Sequence, residues 1–98
     1  MNRLVFLPTQ CSLTWHGRRL DINGDETAVL ILLSARPGHW FLWSEIKSHG
    51  VQYGWPERRL AGLTSVLYNV ASALIGTTAW LERSPEDAYR FMGVMEIG

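Results

Sequence analysis

The apolar positions of this chain change their period along its length. The first stretch is strand-like. Leu4-Val5-Phe6-Leu7 is an apolar run closed by Pro8, Ser12-Leu13-Thr14-Trp15 alternates, and His16-Gly17 supplies a turn. Arg18 to Ile22 alternates again, with Leu20 and Ile22 on one face. Such alternation predicts a small antiparallel sheet with one buried face. Asn23-Gly24-Asp25-Glu26 then opens a helix, because Asn23 is a good N-cap and Glu26 can complete a capping box. Ala28 to Ala35 is nearly all apolar, which predicts a helix buried on most sides, and Pro37-Gly38 ends it.

A short strand is expected over His39 to Leu42. A short second helix follows from Trp43 through Lys47 to about Gly50, poorly capped if it begins at Trp43, and then a loop from Gly50 to Trp55. The third helix carries the clearest signal. Pro56 suits a first helical position, Glu57 favours the dipole there, and Leu63, Leu67, Val70 and Leu74 form one stripe at helical spacing before Gly76. Two strand-like runs, Ala79 to Arg83 and Ala88 to Met92, flank Ser84-Pro85-Glu86-Asp87 and predict a closing hairpin. Leu60 to Leu81 contains no charged residue and is long enough to span a bilayer. Its apolar residues follow a stripe broken by Thr64, Ser65, Asn69 and Ser72, so a membrane partner is not expected.

Composition narrows the reading further. The 98 residues suit one domain, and 47% hydrophobic with 18% charged residues suits a globular chain. Lys plus Arg is 9 and Asp plus Glu is 9, so the formal charge is zero, which counts against strong phosphate neutralisation. The single cysteine, Cys11, has no internal partner, and Met1-Asn-Arg opens no signal peptide, so a cytoplasmic location is expected. His16, His39 and His49 do not combine with Cys11 in a metal spacing. No nucleophile elbow, phosphate loop or dinucleotide fingerprint is present, so neither an enzyme, a metal nor a cofactor is expected.

In order and spacing these elements resemble the effector domain of OmpR/PhoB-type response regulators. The run Glu26-Thr27-Ala28-Val29-Leu30-Ile31-Leu32-Leu33 is similar to the family's first helix. Leu63, Leu67, Val70 and Leu74 match the stripe of its recognition helix, and Trp80 to Phe91 matches its closing hairpin without a gap. The resemblance implies an α+β winged helix-turn-helix over residues 1–98: an N-terminal antiparallel sheet (1–23), a three-helix core (24–76) and a hairpin wing (79–92). It also implies DNA binding and transcription regulation, here without the receiver domain that carries phosphorylation control.

Two departures stand out. Where the family carries arginines on the third helix, this chain has Thr64, Ser65, Val66, Tyr68, Asn69, Ala71, Ser72 and Ala73, none charged. Both wing glycines are replaced, by Glu86 and Ala88, and Glu82, Glu86 and Asp87 place negative charge where a wing approaches phosphate. As a DNA-binding domain, the chain would read bases or phosphates with Thr64, Ser65, Tyr68 and Asn69. Arg58, Arg59 and Lys47 would hold phosphates, and Arg83 would probe the minor groove. The same residues also fit a plain polar face, with Arg58 and Arg59 pairing to Glu57 and Arg83 neutralising Glu82 or Glu86. Of the five tryptophans, Trp15 and Trp80 are expected in the core. Trp40, Trp43 and Trp55 are candidates for a protein interface.

Two functions therefore compete. The first is a small DNA-binding regulator, weak alone and acting as a dimer or with a partner. The second is a winged helix turned to protein binding, which the uncharged helix and acidic wing favour.

Overall fold

The computed structural model describes residues 4–98; positions 1–3 of the expected N-terminal sheet segment lie outside the described residues. Strands β1 (Leu4–Leu7), β2 (Ser12–Trp15) and β3 (Arg18–Arg19) form an antiparallel meander. Leu4 pairs with Trp15 and Phe6 with Leu13, and these four side chains are buried. The third strand is shorter than the expected Arg18–Ile22. Leu20 still donates its N–H to the Leu13 carbonyl (2.8 Å), but the chain then departs toward the cap of the first helix.

Helix α1 (Gly24–Ser34) starts as its sequence dictates. The Glu26 N–H donates to Asn23 Oδ1 at 2.9 Å, and the Asn23 N–H donates to Glu26 Oε1 at 3.1 Å. Val29, Leu30 and Leu33 are buried, whereas Ile31 is exposed, so α1 is covered on fewer sides than its composition suggested. Strand β4 is only Phe41–Leu42, not His39–Leu42.

Helix α2 (Trp43–Gln52) starts where expected but runs on through Gly50 to Gln52. Its start lacks a side-chain cap from Leu42, although the Leu42 N–H reaches the Glu45 carboxylate at 3.1 Å. The stop lies at Gly54, whose φ of +74° suits glycine. There the Trp55 N–H bonds the Gly50 carbonyl and the Gly54 N–H bonds that of Val51, the double closure of a glycine-ended helix.

The expected third helix is two helices, α3 (Glu57–Ala61) and α4 (Leu63–Ala73), broken at Gly62. Pro56 precedes the first of them in extended conformation and is not a helical residue. The stripe behaves as its period requires: Leu63, Leu67, Val70 and Leu74 are all nearly inaccessible and pack with α1.

Strands β5 (Trp80–Arg83) and β6 (Ala88–Met92) make the closing hairpin, and β4 joins β6 to give a three-stranded sheet in the order β4-β6-β5. Trp80 is 48% exposed, against the expectation of a core residue, because strand alternation turns it with Glu82 to the outer face. One element was not foreseen. Strand β7 (Glu96–Ile97) pairs in parallel with β1, completing a sheet in the order β3-β2-β1-β7.

Among the described residues the fold is α+β, with four α-helices and two sheets. Buried side chains from α1, α2, α4 and both sheets form one apolar cluster. Among the described residues, no helix is long and apolar enough to cross a membrane.

Gly50 tests this packing, because a Cβ there would lie 2.4 Å from the Trp55 ring and 2.7 Å from Leu60 Cδ2. In an open helix, glycine to alanine stabilises by up to about 1 kcal/mol. Here Gly50→Ala is expected to destabilise by about 1–3 kcal/mol in urea unfolding, the range for overpacking. A gain in stability would contradict the packing of Trp55 on α2.

Candidate functional site

Helix α4 turns its stripe inward, so its outer face carries Thr64, Ser65, Tyr68, Asn69 and Ser72, all exposed. Tyr68 stands well clear of the surface, at 72% exposure. Asn69 is not free to act as expected. Its amide donates to Glu26 Oε2 at 3.1 Å, which ties α4 to the capped start of α1. Glu26 is buried and both its oxygens are occupied, one by the Asn23 N–H and the other by Asn69.

The expected phosphate contacts divide. Arg59 points inward: its Nε donates to Asp25 Oδ1 at 2.8 Å, its side chain is only 15% exposed, and its guanidinium lies over the Trp55 ring. The partner is thus Asp25, not Glu57. Arg58 is 76% exposed and only skirts the same carboxylate at 3.7 Å. Lys47 is exposed on α2, with its ammonium 5.1 Å from the centre of the Trp43 ring.

The hairpin pairs its own charges. Arg83 donates to Asp87 Oδ1 at 2.7 Å through Nη2, and not to Glu82 or Glu86. This contact raises Arg83 above its ordinary pKa. Glu82 belongs to two other groups, accepting from the Trp80 indole N–H (3.0 Å) and from Arg90. Those bonds, the indole first, hold its carboxyl below the usual value. Arg90 also stacks on Trp40 at 4.3 Å, so the outer sheet face bears a ladder from Trp40 through Arg90 and Glu82 to Trp80.

The three tryptophans expected at an interface have separate settings. Trp40 is part of this ladder at 39% exposure, while Trp43 and Trp55 are half-buried against the core. No single exposed aromatic cluster is made of them.

Between α4 and the hairpin lies a groove of about 200 Å³, lined by Thr64, Leu67, Tyr68, Ala71, Leu81, Glu82, Arg83 and Tyr89. Leu67, Ala71, Leu81 and Tyr89 are not among the expected contact residues. The alternation of the hairpin already put Leu81, Arg83 and Tyr89 on one side, but nothing local showed that α4 would face it. Among the described residues, no group of three or more His, Cys, Asp or Glu is placed to hold a metal ion. No protein-family model matches the chain, and no curated protein matches it in sequence.

The Glu82 bonds set an acid response. A carboxyl held below its ordinary value contributes stability that is present above the unfolded pKa and lost as pH falls through the folded one. Lowering the pH below 4.5, the ordinary value, should therefore loosen the hairpin, read by NMR as movement of the Trp80 indole N–H resonance. Glu82→Gln should flatten that dependence. An unchanged profile in the variant would contradict the assignment.

Proposed function

We propose that this chain is a winged-helix domain that binds a protein partner through α4 and the β5–β6 hairpin, not duplex DNA. The element order supports the winged-helix part. An N-terminal sheet, α1, a short strand, α2, the α3–α4 pair and a hairpin beside α4 follow one another as in that fold. A fold carries no function by itself, so the reading rests on the face.

The observation that carries it is electrostatic. Helix α4 has no charged residue, and the nearby cations Arg59 and Arg83 are each held by a carboxylate. The hairpin sets Arg83 and Arg90 against Glu82, Glu86 and Asp87, an excess of one negative charge. DNA affinity depends chiefly on phosphates neutralised by Lys and Arg. Of the expected phosphate contacts, only Arg58 and Lys47 stand clear. An uncharged face with an exposed tyrosine beside an apolar groove is instead the composition of a protein-binding core.

Two measurements test this together. Titration of random-sequence duplex DNA at several salt concentrations should give weak binding. Its slope of log K against log salt should be no steeper than about −2, the value for two neutralised phosphates. A photocrosslinking amino acid at Tyr68, whose exposure spares the fold, should yield a discrete protein adduct in cells. A steep salt slope, or adducts with nucleic acid alone, would contradict the proposal.

A further inference from the structure

We infer that the groove receives one extended peptide segment of the partner, which pairs with the open edge of β5 as an additional strand. Its side chains would be apolar at alternate positions, with lysine or arginine at the rim. The inference deepens the protein-binding reading and rests on it.

Strand β5 is an edge of its sheet. Along an antiparallel strand, successive residues direct their main-chain groups alternately toward the partner strand and away from it. Two sets of bonds fix which do which. The Ser84 N–H donates to the Ala88 carbonyl at 2.8 Å, so Ser84 faces β6, and by steps of two so do Glu82 and Trp80. On the far side of β6, the Phe91 carbonyl accepts from the Gly38 N–H (2.8 Å) and the Asp87 carbonyl from the Trp43 N–H (2.9 Å). Phe91 and Tyr89 thus face away from β5, and they stand opposite Leu81 and Arg83. Leu81 and Arg83 therefore direct their N–H and C=O groups to the open edge.

The groove adjoins that strand: Leu81, Glu82 and Arg83 line it, with Tyr89 of β6 beside them. The opposite wall is Thr64, Tyr68 and Ala71 of α4, two of them small, with Leu67 and Tyr89 contributing apolar surface. An unpaired ladder beside apolar surface is the setting in which an extended segment adds to a sheet.

The chemistry selects among occupants. The Leu81 and Arg83 carbonyls need donors, and DNA phosphates only accept. A helix keeps its own main-chain bonds and cannot answer the ladder. An extended peptide supplies donors and acceptors at the matching spacing. Charge adds a preference: the hairpin's excess negative charge favours a basic flank, and among the described residues no cation pairs with Glu86 at the turn.

The test uses the whole chain as bait for a displayed library of random linear peptides. Enriched sequences should alternate apolar residues and carry Lys or Arg. A synthetic peptide of the strongest sequence is then N-methylated at one residue at a time. Methylation at alternate residues should weaken binding by about tenfold or more, with the intervening positions little affected. Amide exchange at Leu81 and Arg83 should slow on binding.

Failure to enrich any peptide, or equal effects of methylation at every position, would overturn the strand pairing. So would self-association of the chain through β5. If Tyr68 still crosslinks to a protein in those cases, the wider reading stands without the strand. If a duplex run in parallel binds and protects α4 instead, both fail.

Discussion

The packing of α4 against α1 is the constraint on which the rest of the molecule depends. Leu63, Leu67, Val70 and Leu74 bury one side of α4 against the cluster that includes Val29, Leu30 and Leu33. Each such side chain contributes about 1.5–3 kcal/mol by leaving water. With that side fixed, the opposite residues are necessarily the ones presented outward. The same docking places α4 beside β5 and creates the groove, so stability and the exposed face are set by one stripe.

Polar contacts around this packing then remove charge from the surface. Glu26 closes the cap of α1 and holds Asn69, and Asp25 holds Arg59. Two carboxylates in the first turn of α1 suit the helix dipole there. They also hold a cation and an amide of the α3–α4 segment that a DNA reader would use. The hairpin repeats the pattern with Arg83 on Asp87 and Arg90 on Glu82. These partly exposed pairs contribute little stability, but they lower the positive potential that a phosphate would meet.

What the sequence made legible was local. The Asn23–Glu26 box, the four-residue stripe and the hairpin turn each depend on residues within a few positions of one another, and each formed where expected. Gly50 and Gly62 misled in opposite directions. The first sits inside a helix because the Trp55 ring occupies the space where a side chain would be, and the second divides a helix that its stripe made look continuous. Strand β7 has two residues and a partner at the other end of the chain, so no alternation announced it. The face was legible in residue type and not in state. Arg59 and Asn69 lie 34 and 43 residues from their acidic partners, a separation that no local pattern reveals.

The α4 face is electrically neutral because it carries no charged residue and because Arg59 and Arg83 beside it are held by Asp25 and Asp87. The most direct measurement is the near-surface potential at the amides of Thr64 to Ser72, taken by NMR from relaxation induced by cationic and anionic nitroxide probes. The two probes are expected to relax these amides almost equally. Markedly stronger relaxation by the anionic probe would reveal a positive face and contradict that neutrality.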